Sequence, residues 1–523
     1  TYLDEFLGDA YTIINPYTFL VADYLAKSAG LSFSPSRIYY IPSHIRKDTV
    51  ADGSDIQDRL VNLINVPDIN LRSNLYTTED FLDSLQVSKN YMADQNLYIR
   101  ERIFDMWIGD WNKMNENWEW QSHTVNDSVI YTPIVIDRNH AFTKVDGVLF
   151  KQMLKMLSLD FICNYDSLIL KDTKKINKLA FALDMAVAGR SDESVWIRQA
   201  QEIRKQMTDS LIDSAFTYLP EGVKHDEIEL IKQKLKRRRL ELEAVASQYY
   251  RLLQRTPVVA GTNQSDYFLI ERQAPDRTIL RIYDPETGDC RLEQQFSGKE
   301  TKELWLYGLA GNDTFEVKGN TRKDFPIYLI SGEGENQYQL NHSRKIHVYD
   351  KDYKYDYQKI KYHKISFTPW GIYDSDKGIS LGTFFTYTMY GFKRAPFTYQ
   401  HRIGYNYLKG FMYAGIFPNY DGRRRLYLNA SISSPRNFEN FFGFGNNTAG
   451  YKEEKKNYNR VKLRTYMFNP SFEMDLRKEE VMTFFGSLDM YKAKRTDDRY
   501  IYTVYGEDHP ISVSYTHLRA HET

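Results

Sequence analysis

The 523 residues are enough for about three domains of ~150 residues each. Lys+Arg and Asp+Glu both number 69, so the formal charge is +0 and no global field draws the chain to nucleic acid. Two cysteines, Cys163 and Cys290, supply neither a disulfide framework nor a cysteine metal site, and no run of 18 apolar residues is present to span a membrane as a helix.

Residues 1–222 read as a helical and mixed region. Asn15-Pro16-Tyr17 opens a helix through Phe19, Leu20, Val21, Tyr24 and Leu25, which stops at Gly30. Ser34 to Pro42 predicts a short strand. Asp94 is placed to cap a helix carrying Leu97, Arg100, Ile103, Phe104 and Trp107. Residues 129–137 predict a strand ending in an acid. Residues 223–256 form a charged linker whose helix, 223–254, puts Ile228, Ile231, Leu235, Leu242, Val245, Tyr249 and Leu252 on one stripe. Its basic patch, Lys232, Lys234 and Lys236 to Arg239, is expected to be a solvated face between domains, with a membrane-surface contact as the alternative.

Residues 257–350 predict a small β domain, with strands at Tyr267–Glu271 and Thr278–Tyr283. Its two glycine turns, Gly308-Leu-Ala-Gly-Asn-Asp313 and Gly332-Glu-Gly-Glu-Asn336, echo one another. They resemble the Gly-Gly-x-Gly-x-Asp repeat of calcium β-rolls, which implies Ca2+ at Asp313. Two glycine turns in a β-sandwich are the expected structure.

Residues 360–510 alternate between apolar and polar side chains, strand after strand. Ile379, Leu381, Thr383, Phe385, Tyr387 and Met389 fall on one side of a strand; so do Phe397, Tyr399, His401, Ile403, Tyr405 and Tyr407. Leu426–Ser433, Val461–Phe468 and Val481–Met490 repeat the pattern, and about seven strands are visible. Ten-residue alternating segments, aromatic flanks and short turns are the signature of a transmembrane β-barrel, and the 41 tyrosines suit its interfaces. Residues 511–523 abandon the alternation and are set aside as an artefactual tail. With no visible signal peptide and a start at Thr1, the chain reads as a fragment of a longer protein.

One stretch carries candidate chemistry. Gly109-Asp110-Trp111-Asn112-Lys113-Met114-Asn115-Glu116-Asn117 is followed by Val135-Ile136-Asp137-Arg138-Asn139-His140-Ala141-Phe142. Together they resemble the catalytic and metal loops of atypical kinases, in which an acid accepts the hydroxyl proton while an Asn five residues later and a second Asp hold magnesium. The resemblance places Asn117 and Asp137 as ligands for Mg2+. The base position holds Asn112, which cannot accept a proton, and Asp110 is the residue available to substitute. The domain is therefore expected to be a degenerate, kinase-like module, or a helical domain in which Trp111, Trp118 and Trp120 simply pack.

The order of parts, with Asn437-Phe-Glu-Asn-Phe-Phe-Gly-Phe-Gly-Asn-Asn-Thr448 in the last region, resembles the BamA/TamA surface-antigen family of Gram-negative outer membranes. In its metallophosphoesterase-linked group a phosphatase domain can precede such a region, but no Asp-x-His or Gly-Asn-His-Asp-Glu cluster occurs here. The resemblance implies a multidomain protein: an α+β kinase-like part, a small β domain and a partial antiparallel barrel. It further implies an outer-membrane location with the N-terminal part periplasmic, contact with membrane lipid and with envelope proteins or lipids, and a role in envelope assembly, secretion or surface anchoring. Magnesium-dependent phosphotransfer or nucleotide binding by the kinase-like segment, or a place in a larger metallophosphoesterase, is the alternative, and a soluble β-sandwich or carbohydrate-binding protein is a third reading.

Overall fold

The computed structural model describes residues 17–33, 36–42, 58–64, 74–145, 147–156, 159–223, 225–319, 324–341, 345–349, 353–375, 377–393, 396–419, 422–443, 457–477, 480–494, 496–505 and 514–522. They form two compact units, Thr1–Leu154 with Leu159–Gln358, and Lys155–Ser158 with Lys359–Thr523. The architecture is mixed α/β, with several small sheets and one large antiparallel sheet.

In the first unit the N-terminal helix is Thr18–Ser28, and Ser36–Ile41 pairs with Arg59–Ile64. The Gln95–Ile108 helix is central. Tyr98, Ile99, Ile103, Phe104 and Trp107 on it are all fully buried. A helix apolar on nearly every side belongs inside a core. Beside it lies a four-stranded sheet in the order Leu75–Thr77, Trp118–Val125, Ser128–Val135, Tyr91–Ala93. Alternation along Trp118–Val125 sends Trp118 and Trp120 inward, where Trp120 stacks on Phe81 at 3.7 Å.

The single helix expected over 223–254 is two helices, His225–Arg239 and Leu242–Leu253. The chain tightens at the break, where Leu240 and Glu241 donate to the carbonyls of Arg237 and Arg238. The basic patch is only in part a solvated face: Arg237 is exposed, but its neighbours are drawn in. Arg238 is buried and donates to the carbonyls of Met106, Trp107 and Asp166, while Lys236 and Arg239 pair with Asp213 and Asp209. The residues predicted to link domains are instead built into the first unit.

The small β region is not a sandwich of antiparallel strands. The chain alternates between two sheets and returns in parallel each time. Val258–Ala260, Leu304–Tyr307, Ile327–Ile330 and Ile346–Tyr349 make one parallel sheet; Tyr267–Gln273, Thr314–Gly319 and Gln337–Leu340 make the parallel part of the other. The result is a flattened coil with Val259, Phe268, Ile270, Leu306, Phe315 and Leu329 in its core. Arg277–Tyr283 and Cys290–Ser297 extend the second sheet as an antiparallel hairpin inserted after the first coil. That insertion puts 47 residues between Asp266 and Asp313 but only 23 between Asp313 and Asn336, which hides the repeat in the sequence.

The second unit is a sheet of nine described strands. Eight run in the path Lys364–Asp374, Gly378–Met389, Tyr399–Asn406, Gly410–Pro418, Arg424–Ile432, Arg460–Arg477, Glu480–Ala493, Ser514–Glu522, with Phe438–Asn440 pairing alongside Arg460–Arg477. All neighbours are antiparallel, and the first and last strands do not pair with each other, so the described sheet is open. Two strands exceed expectation: Arg460–Arg477 spans 18 residues, and Ser514–Glu522, set aside above as a tail, pairs along Phe484–Lys492. Main-chain hydrogen bonding alone can add a strand to an open edge. Of the Asn437–Thr448 segment, residues 444–448 lie outside the described residues.

Register gives the sheet two unlike faces. One row runs Phe367, Phe385, Ile403, Tyr413, Ala430, Phe468, Leu488 across seven strands. On the other face Ser366, Thr386, Arg402, Ala414, Asn429 and Asn469 lie in line. There Gln400 donates to Thr388, Ser380 bonds Asn406, and Arg425 pairs with Glu473 and Asp475.

Candidate functional site

The kinase-like motif begins where the Gln95–Ile108 helix ends. Asp94 caps its start, accepting from the Leu97 amide at 3.0 Å. Gly109 ends it in the left-handed region at φ +79, and a Cβ there would meet the Tyr165 ring at 2.6 Å. Arg238 takes two of the orphan carbonyls at this end, Met106 and Trp107. A guanidinium from a distant helix thus fixes where the loop that follows departs.

Asp110 opens that loop and faces inward, 1% exposed. Its Oδ2 is bonded to the Lys113 ammonium, and its Oδ1 accepts from the Asn112 amide at 3.3 Å. Lys113 also donates to the Asp137 carbonyl at 3.1 Å. Further in, Arg138 bonds Glu101 and reaches Asp105 at 3.3 Å; Asp105 lies 3.3 Å from Arg102, which holds Asp184 at 2.8 Å. Four carboxylates, Glu101, Asp105, Asp110 and Asp184, thus share three cations, Arg102, Lys113 and Arg138. Burial pushes the Asp110 carboxyl above its usual range against the pull of Lys113, and does the same to Glu101 against Arg138. Asp110 pairs with Lys113, and both of its oxygens are engaged inside the unit.

Asn117 and Asp137 are brought together. Asn117 immediately precedes Trp118–Val125, Asp137 follows Ser128–Val135, and the Ile136 amide donates to the Asn117 carbonyl at 3.0 Å. The Asn117 side-chain oxygen accepts from the Met114 amide at 3.0 Å, and one Asp137 oxygen accepts from the Asn139 amide at 3.3 Å. Were magnesium held here, the second Asp137 oxygen would be the ligand, since the Asn117 side-chain oxygen is already taken by the Met114 amide. Magnesium there would neutralise charge on a phosphate; Asn112 adds no proton acceptor.

The coil turns use their acids differently. Asp266 accepts from the amide and hydroxyl of Thr262; Asp313 Oδ1 accepts from the Asp266 amide at 2.8 Å; Asn336 accepts from the Asp313 amide at 2.9 Å. Each side chain is a rung of an internal ladder, and Asp313 Oδ2 is sealed over Gly308, where a Cβ would collide with it. Calcium asks for six to eight oxygens. Here two side-chain oxygens serve the ladder, and no cluster of three or more His, Cys, Asp or Glu suited to a metal occurs among the described residues. Burial, with the neighbouring Asp266 charge adding to it, raises the Asp313 carboxyl to about 8.

Sequence reasoning missed the Glu101–Arg102–Asp105 network and the structural role of Arg238. Three charges within five residues of a helix otherwise apolar on most sides were the readable signal for the first. Nothing local signals the second.

No protein-family model matches the chain, and no curated protein matches it. Among solved structures, the crystal structure of a Helicobacter pylori proinflammatory kinase, CtkA, is similar over 45% of this chain and 86% of that one, at 15% identity and a TM-score of 0.27, a likeness too slight to assign fold or function.

Proposed function

We propose that the Lys359–Thr523 unit is part of an outer-membrane β-barrel of the surface-antigen kind and anchors the Thr1–Gln358 unit, as a kinase-like module without a catalytic base, at the periplasmic membrane surface. One observation carries the reading: five of the seven side chains in the apolar row, Phe367, Phe385, Ile403, Phe468 and Leu488, are exposed, and Tyr413 and Ala430 are partly so. Phe367, Phe385 and Ile403 are 52%, 55% and 57% exposed, and Ile379 and Leu381 exceed two-thirds. Leaving such side chains in water forgoes about 2 kcal/mol each. A polar, hydrogen-bonded reverse face suits a barrel interior. No helix among the described residues is long and apolar enough to cross a membrane, which bears on helices only. In lipid every strand edge must be paired, so the proposal requires further strands against Lys364–Asp374 and Ser514–Glu522.

The test places nitroxide labels, one at a time, at positions 385, 386, 402 and 403 of a chain with Cys163→Ser and Cys290→Ser, reconstituted in liposomes. Labels at 385 and 403 should collide with oxygen dissolved in the bilayer, and those at 386 and 402 with a polar nickel complex. Equal access at all four positions would remove the membrane reading in favour of a protein-covered sandwich.

A further inference from the structure

Within the first unit, the N-terminal ends of two helices and the first turn of the coil enclose a cavity of ≈ 770 Å³. That is the size of a small-molecule site. Leu85, Met92, Ile130, Val187, Val195 and Leu292 give it apolar walls. Lys89 and Arg291 also line it, but Lys89 donates to the Ser265 carbonyl, and the two hold Asp284 between them at 3.1 and 2.9 Å.

Arg190 differs. It donates one bond, from Nη2 to the Ala260 carbonyl, and among the described residues no carboxylate lies within ion-pair distance of it. Its other N–H groups make no hydrogen bond among the described residues, and Arg190 is part of the cavity lining. A guanidinium drawn partly out of water with no carboxylate in contact is unfavourable, and burial depresses its pKa, against the more distant pull of Tyr355 and Asp266. Three residues on, the Glu193–Gln206 helix begins; its N-cap Asp192 makes no side-chain cap, so the positive end of a 14-residue helix borders the same space.

We propose that this cavity binds a small monocarboxylate with an apolar body, its carboxylate forked by Arg190. The planar guanidinium matches a carboxylate with two parallel hydrogen bonds. A single negative charge is specified because Asp94, Asp192 and Asp266 share the walls and oppose a second one. The apolar walls select the body of the ligand. This site is separate from the Asn117–Asp137 corner and does not depend on the membrane reading.

The test is protection of Arg190 from phenylglyoxal, followed by peptide mass mapping of the full chain in neutral maltoside micelles. Saturating 4-methylpentanoate should slow modification of Arg190 about tenfold and leave exposed Arg198 unchanged. The isosteric 4-methylpentanamide and inorganic phosphate should protect neither. Equal protection by the amide, better protection by phosphate, or none by the carboxylate overturns the proposal. By calorimetry, Arg190→Gln should abolish the binding heat and Arg190→Lys should weaken it; an unchanged heat in Arg190→Gln also overturns it.

Discussion

Asp313→Asn should stabilise the coil at alkaline pH and reveal the state of the buried rung. Asp313 is fully buried, its Oδ2 has no partner, and its carboxyl titrates near 8 instead of near 4. A folded pKa raised above the unfolded one contributes stability that is complete below about pH 4 and is lost as pH rises through about 8. Asparagine keeps the acceptor for the Asp266 amide and replaces the ionisable oxygen with a neutral donor. At about 1.4 kcal/mol per pH unit, the variant's advantage over wild type should widen by about 3.7 kcal/mol between pH 5 and pH 8. That is a ceiling, because the turn can open locally before the unit unfolds. Urea unfolding followed by tryptophan fluorescence at the two pH values measures it. A stability difference between variant and wild type that does not change with pH would refute the reasoning, since Asp313 would then be ionised throughout.

Lys113→Met should destabilise the first unit by about 3–5 kcal/mol in thermal melts, because it strands Asp110 as an uncompensated buried charge; adding Asp110→Asn should recover most of the loss. Gly109→Ala should cost about 1–3 kcal/mol by the same measurement, through the left-handed backbone and the clash with Tyr165. Leu381→Arg should lower refolding into bilayers by about 2–4 kcal/mol, read from denaturant titrations in liposomes, while Thr386→Arg on the opposite face should cost less than half of that. Equal costs at 381 and 386 would mean that the two faces do not differ in environment.

Much of the second unit was legible because a strand declares its faces locally. Alternation at Ile379–Met389 and Phe397–Tyr407 set which side chains share a side before any partner was known, and pairing only brought those sides into rows. The start of the Gln95–Ile108 helix was legible for the same reason: Asp94 and the amide it caps are three residues apart. The candidate site was legible in part. That Asn117 and Asp137 flank one hairpin was readable, because the two strands between them are adjacent in the chain.

What lay beyond the sequence depended on residues far apart in the chain. Arg238 reads as one of a run of exposed cations; only packing places it at the end of a helix 130 residues earlier, where it satisfies carbonyls that water cannot reach. Asp110 reads as a spare catalytic acid; only the fold turns it inward against Lys113. The coil turns read as a sandwich, since an inserted hairpin breaks their spacing and parallel pairing leaves no short-range mark. Composition and periodicity fix what each segment can bury. Which buried group meets which is a long-range choice, made when the chain closes around its charges and every desolvated donor or acceptor must find a partner.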